Sequence, residues 1–337
     1  MSAREDPRPR TGAGPDPRAD VGAPDGRPLR VVAVVLSVDE ARHLSACLPA
    51  LGDADEVVVI DNACTDATGE VAARHGARVV RVEQRLSYAE AMNRGITAAR
   101  DCDAVLVCNA DCVLEPGAVG ALAASLARDP SLASVAPKLL RAEHPERIDA
   151  AGMHLDRRRK NNVVGHNEPA SAYARRCEVF GPDGACGLWR RAALDDVAPD
   201  GEVFDATLAL WASDADLAWR ARLRGWRALY EPAATGRHVR FFSPSTRSRV
   251  DAAHRRLQFR NRLLMIAKND RPADLLRDAP HVLLYEVLAL AYAVVVEREL
   301  LPAYRDALRA LPEARRRRRT IQARRRARPP YGLLPPP

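Results

Sequence analysis

The chain has 337 residues, 47% of them hydrophobic and 28% charged, which leaves room for one large domain or two modest ones with a sizeable core. Its formal net charge is +8, yet residues 315–319, 324–326 and 328 are nine arginines with no acid among them, and subtracting nine from +8 leaves −1. That excludes a uniformly basic protein: the charge is local, suited to polyanions such as anionic lipid or nucleic acid, and says nothing about the fold.

Residues 1–29 are rich in Pro, Gly, Asp and Arg and lack the apolar stretch of a signal peptide, so they read as a disordered arm. From residue 31 a repeating pattern begins. VVAVVL (31–36), EVVVI (56–60), ARVVRV (77–82) and DAVLVC (103–108) predict strands. Helical spacing follows each of them, over 40–51, 66–75, 87–100 and 117–128. Alternating strands and helices with near-continuous apolar strands predict a mainly parallel sheet covered on both faces. Ligands of such sheets bind beyond the carboxyl ends of the strands.

Polar residues collect at those ends: Ser37, Asp39 and Glu40 after the first strand, Asp61 and Asn62 after the second, Asn109 and Asp111 after the fourth. Any one cluster is readily a helix cap or a turn. Three on one edge argue for a ligand. Side chains two apart on a strand share a face, so Asn109 and Asp111 are expected to act together, with oxygens suited to Mg²⁺ or Mn²⁺ once a diphosphate adds its own.

After residue 136 comes a polar, loop-rich stretch with short strands, and 141–176 is where specificity is expected. Order returns at 177–194 and 210–232, where a helix ends at Gly225 and WRALY reads as a further strand. The seven cysteines (Cys47, Cys64, Cys102, Cys108, Cys112, Cys177, Cys186) form no CxxC pair and lie mostly in or beside apolar runs, which predicts reduced buried thiols and a cytosolic location.

In this order, VVAVVLSVDEARHLSACLPAL, EVVVIDNACTDATGEVA, SYAEAMNRGITAA, VLVCNADCVLEPGAV, GACGLWRRAAL and SDADLAWRARLRGWRALYEP are similar to the family 2 inverting glycosyltransferases of the GT-A fold. The likeness is to the bacterial rhamnosyltransferase-like branch in particular, over about residues 30–240, and RLQFRNRLLMIAKN (256–269) also resembles that branch. The resemblance implies an α/β GT-A domain over 30–240, a helical extension over 241–312 and an Arg/Pro-rich tail over 313–337. It places Ser37, Asp39, Glu40, Asp61, Asn62, Asp66, Asn93, Arg94 and Asn109 around a nucleotide-sugar donor. Asp111 and His238 would hold the Mg²⁺ or Mn²⁺, although a lone histidine is equally at home as a structural one. Asp214 would be the general base. Gly184, Ala185, Trp211 and Ser213 would line the sugar and acceptor pocket, an ordinary turn being the alternative for the first two. Ser213 stands where the family usually has Glu, so a catalytically impaired nucleotide-sugar-binding protein is the second reading. Trp219, in the helical stretch, is expected in the core.

Residues 282–296 are apolar except for Glu286 and too short to span a bilayer. With the arginines beyond, they suit peripheral attachment to an anionic membrane on its inner face; a buried helix with a solvated tail is the alternative. The partners expected are a nucleotide-sugar donor and a glycan or polyprenyl-linked acceptor. Specific nucleic-acid binding is not expected, because the Arg-rich segment has almost no aromatic residues. No glycine-rich phosphate loop or GxGxxG follows a strand, which disfavours a nucleotidyltransferase or a dinucleotide-dependent dehydrogenase.

Overall fold

A computed structural model describes residues 27–198, 201–240 and 250–333. Most of the expected arm lies outside the described residues. The chain is already tied at Arg27, which grips both carboxylate oxygens of Asp103 at 2.9 and 3.1 Å.

The first half is a parallel βα array: β1 (Val31–Ser37), α1 (Ala41–Cys47), β2 (Glu56–Asn62), α2 (Thr68–Arg74), β3 (Arg78–Val82), α3 (Tyr88–Ala98) and β4 (Ala104–Asn109). Every residue of β1 is buried, because alternate side chains serve two cores. Val32, Val34 and Leu36 pack with Met92 and Ile96 of α3, whereas Val31, Ala33 and Val35 pack with Leu44, Leu51 and Val71. α3 lies so close to the sheet that a Cβ on Gly95 would fall 2.3 Å from Val34. Its start is fixed by a capping box, in which Ser87 and Glu90 satisfy each other's amides.

The second half makes the sheet mixed. β5 (Cys112–Leu114), α4 (Ala118–Arg128), β6 (Leu132–Arg141), β7 (Ile148–Ala150), the small hairpin β8 (Met153–Leu155) and β9 (Asn161–Val163), β10 (Cys177–Glu178) and β11 (Cys186–Arg190) come first. α5 (Arg191–Val197), α6 (Ser213–Arg224) and β12 (Arg227–His238) follow, with Gly225 at φ +91° closing α6 as expected. The main order is β10-β12-β6-β11-β4-β1-β2-β3, with β11 antiparallel to β4 and β6, and β5 antiparallel to β12.

Among the described residues four α-helices follow: α7 (Ala252–Asn269), α8 (Pro272–Arg277), α9 (Ala279–Val295) and α10 (Pro302–Ala323). They are not an appendage. Leu264 and Met265 of α7 and Ala314 and Ile321 of α10 join the core that holds Val34. Of the arginine run, expected as a tail from residue 313, Arg315 to Arg319 lie within α10, which ends at Ala323. Arg317 pairs with Glu202, Asp205 and Glu313, Arg318 donates to the carbonyls of Ala267 and Asp270, and Arg324 and Arg328 reach Asp196 and Asp274. Buried acids on the body of the protein supply the physical reason: unpaired, they would be costly. Among the described residues no single helix is long and apolar enough to cross a membrane.

Candidate active site

The carboxyl ends of β4, β1 and β2 stand level, with Leu36 opposite Asn109 and Ser37 opposite Asp61. Several of the residues proposed there build its walls. Ser37 Oγ lies 2.9 Å from Thr68 Oγ1, and Asn62 clasps Leu86 through its amide oxygen (2.8 Å) and nitrogen (3.0 Å). Asp66 accepts the backbone N–H groups of Ala41 and Thr68, joining the first turns of α1 and α2. Asp39, at φ +58°, accepts from Thr65 N at 2.7 Å and from Arg85 at 2.5 Å, and the Arg85 hydrogen bond helps hold its pKa near about 2. Asp61 is buried, accepts from Cys64 N at 2.9 Å, and turns its other oxygen toward Arg81, 3.8 Å away.

β4 stops at Asn109, so Asp111 belongs to the turn before β5 and the strand-alternation argument does not place it. Pairing of β5 with β12 does. Cys112 lies opposite His238, which brings His238 Nε2 to 3.4 Å from Asp111 Oδ1. The other ring nitrogen is 2.8 Å from buried Asp149. Burial pulls the His238 pKa down, but its hydrogen bonds to Asp111 and Asp149 prevail and lift it to about 9. Glu40 is pushed up to about 7 by burial and by the charge of Asp111. Arg240 grips both oxygens of Asp149 at 2.6 and 2.8 Å and extends to Asp183 at 3.2 Å.

Asp214 occupies the first turn of α6, at the end of a strained approach in which Ala209, Trp211 and Ala212 all have positive φ. Asn261 of α7 clamps that approach, its amide nitrogen 2.7, 2.8 and 3.0 Å from the carbonyl oxygens of Leu208, Leu210 and Trp211. Asp214 Oδ2 accepts Gly184 N–H at 2.9 Å and Oδ1 accepts Ala215 N–H at 2.8 Å. A Cβ on Gly184 would sit 3.1 Å from that Oδ2, so the position is small because the carboxylate lies against it. Burial, then the charge of Asp183, raise Asp214 to about 6. Tyr88 Oη donates to Gly184 O at 3.3 Å, and Asn109 N–H donates to Ala185 O at 2.9 Å. Ser213 Oγ is buried with no hydrogen-bond partner among the described residues.

One polar chain therefore runs Asp111, His238, Asp149, Arg240, Asp183, ending beside the Gly184 amide that holds Asp214. Asn93 and Arg94 line a groove of about 670 Å³ with Arg78, Glu90 and Glu202 that also includes Leu86, the residue Asn62 clasps. Asn93 clasps Phe204 through both amide atoms at 2.8 Å. Trp211 is half-buried, and Trp219 is in the core as expected, its indole N–H donating to Tyr331 Oη at 3.2 Å. Asp149, Asp183, Arg240, Tyr88 and Asn261 were not singled out from the sequence. Tyr88 and Asn261 nevertheless lie within SYAEAMNRGITAA and RLQFRNRLLMIAKN, and Arg240 lies two residues beyond His238.

Asp111 and His238 offer a carboxylate oxygen and an imidazole whose far nitrogen is already held by a carboxylate, a donor set that fits Mn²⁺ or Mg²⁺. The three thiols of Cys108, Cys112 and Cys186, within 4.8 Å of one another, are buried, and contact among the thiols together with burial keeps them protonated.

A mixed sheet with acids at its carboxyl edge and a base-like aspartate opposite is the architecture of nucleotide-sugar transferases. Residues 28–261 match the family described as Glycosyltransferase like family 2, and the chain belongs to it. It is 29% identical over 245 residues to the N-acetylglucosaminyl-diphospho-decaprenol L-rhamnosyltransferase of Mycobacterium tuberculosis, covering 62% of this chain and 75% of that protein. An uncharacterised glycosyltransferase of the same organism is 40% identical over 96 residues, covering 28% of this chain and 43% of that protein. The chain has the GT-A fold. It is similar to the S. aureus TarS 1–349 structure in complex with UDP-GlcNAc (TM-score 0.56, 15% identity, 88% of this chain and 91% of that one). It is also similar to a Pyrobaculum calidifontis mannosyltransferase in complex with GDP-Man and Mn²⁺ (TM-score 0.51, 20% identity, 93% and 87%).

Proposed function

We propose that this chain is a metal-dependent, inverting glycosyltransferase that moves a sugar from a nucleotide-sugar donor to a glycan or polyprenyl-linked acceptor in surface polysaccharide synthesis. It would work at the inner face of the cell membrane. The observation that carries the reading is Asp214: a partly buried carboxylate with its pKa raised to about 6, fixed on the Gly184 amide and joined through Asp183 and Arg240 to the Asp111–His238 pair.

Asp111 and His238 would hold the Mg²⁺ or Mn²⁺, which when bound neutralises charge on the donor diphosphate. Asp61 and Asn109 border the donor at the level strand ends. Asp214 takes the proton from the acceptor hydroxyl as that oxygen attacks the anomeric carbon from the face opposite the nucleotide. Gly184 and Ala215 aim its two oxygens, and Tyr88 and Asn261 steady the peptide segments on which Gly184 and Asp214 stand. The polyprenyl-linked acceptor follows the named activity of the mycobacterial rhamnosyltransferase.

Ser213 favours a second reading, nucleotide-sugar binding without turnover. Thermal stabilisation by a panel of nucleotide sugars with and without Mn²⁺, followed by transfer assays on polyprenyl-diphosphate-linked sugars, separates the two. Metal-dependent stabilisation with transfer supports the enzyme. Stabilisation without transfer to any acceptor supports the binding protein, and no stabilisation by any donor overturns both.

A further inference from the structure

α9 is inverted relative to an ordinary surface helix. Only Val282 and Ala293 are buried, whereas Leu283, Leu284, Val287, Leu288, Leu290, Val294 and Val295 are exposed, Leu284 to 62% and Val295 to 78%. At 100° per residue these seven fall on one continuous face about 160° wide with no charge in it. Its single acid, Glu286, points the other way and pairs with Arg262, whose guanidinium also lies 4.3 Å over the ring of Tyr285. An uncharged apolar face of this width is not left in water without a partner.

α10 leaves α9 at a bend of 120°, and its exposed side has the opposite character. Ala303, Ala307, Ala314, Arg317 and Ile321 are its buried residues, and Arg305, Arg309, Arg316 and Arg319 lie on the outward stripe across from them, with Asp306 beside the first two (3.5 and 4.0 Å) and Glu313 beside the third (2.7 Å), which leaves the stripe net positive. An apolar face beside a basic stripe matches an acyl layer below anionic headgroups. With 17 residues α9 is about 26 Å long, and the bend prevents α10 from extending it, so the helix lies in the interface.

We infer that α9 is an in-plane docking helix for an anionic lipid bilayer, inserted by the face carrying Leu284, Val287 and Leu288 and guided by the arginine stripe of α10. The inference deepens the membrane location proposed above and relocates its cause. Insertion belongs to α9, whereas Arg317 and Arg318, turned inward, and Arg324 and Arg328, which reach buried Asp196 and Asp274 from the surface, serve the fold. It rests on the lipid-linked-acceptor reading only for its purpose.

The test is flotation of the full chain with acceptor-free, donor-free vesicles of phosphatidylcholine, with and without about 30% phosphatidylglycerol. Binding to the anionic vesicles is expected. A Leu284→Glu/Val287→Glu/Leu288→Glu variant should lose at least about tenfold in vesicle affinity while keeping its circular dichroism and melting temperature, since these side chains are already exposed. Arg305→Glu/Arg309→Glu should weaken binding to anionic vesicles alone. No flotation of the native chain, or equal flotation of the α9 variant, overturns the inference. So does a vesicle-free dimer abolished by the same α9 changes, which would assign the face to a second copy. Transfer assays in detergent are read separately, so failure of the catalytic reading and failure of docking give different results.

Discussion

Asp183 and Asp214 hold neighbouring amides of one segment: Asp214 Oδ2 accepts Gly184 N–H at 2.9 Å, and Asp183 Oδ1 accepts Ala185 N–H at 3.0 Å. The charge of Asp183 adds to burial in raising the pKa of Asp214. Arg240 pairs with Asp183 and with Asp149, so the arrangement also connects the base to the pair proposed to hold the metal.

Asp214→Asn keeps the shape but cannot take a proton, and its amide oxygen can accept only one of the two N–H groups, of Gly184 and Ala215, that the carboxylate holds. Turnover is expected to fall about 10²- to 10⁴-fold while donor and metal affinity stay the same. Steady-state kinetics beside calorimetric donor binding checks this, and near-normal turnover would remove Asp214 as the base.

The base must be ionised to work, and its pKa is raised to about 6, so kcat/KM should rise with pH and level off above about 6. Asp183→Asn removes a charge that raises that pKa, so the acid limb should move to lower pH. A limb that stays in place would show that burial alone sets it.

Cation binding needs neutral His238, whose pKa is about 9 in the metal-free protein. Below that value the ion must displace a proton, so apparent Mn²⁺ affinity should rise about tenfold per pH unit between about 7 and 9. Asp149→Asn, which loosens the ring, should cost roughly 10- to 100-fold in Mn²⁺ affinity by titration calorimetry.

Asn261→Ala removes the clamp on Leu208, Leu210 and Trp211 without touching the acids. The strained approach to α6 should relax, lowering turnover with little change in donor binding. A companion change marks the difference between site and scaffold. Lys268 bridges buried Asp205 and Asp216, and Lys268→Met should cost about 3 kcal/mol or more of stability by denaturant unfolding.

The βα array was legible because each of its signals is local. β1 to β4 are continuous β-branched runs, and Gly225 marks the end of α6. Asp111, His238 and Asp214 were singled out through resemblance to a family; the first two lie on a polar chain that ends beside the Gly184 amide on which Asp214 rests. Asp149 and Asp183 were not legible. Each is one acid in a polar stretch, and their partners, His238 and Arg240, lie 57 to 91 residues away in sequence. The arginine run misled for the same reason. Its charge is visible in the sequence, whereas the buried Asp196, Asp205 and Asp274 that receive it are scattered over the fold.

The placement of α7 and α10 also has a consequence for biosynthesis. Asn261 steadies the approach to Asp214, Ala314 and Ile321 complete the core beneath α3, and Tyr331 seats Trp219. A ribosome that has released everything up to β12 has therefore made all the proposed reacting groups but not the elements that fix them. The nascent chain should stay inert until α7 and α10 emerge, and truncation after residue 300 should yield an unstable polypeptide rather than a smaller enzyme.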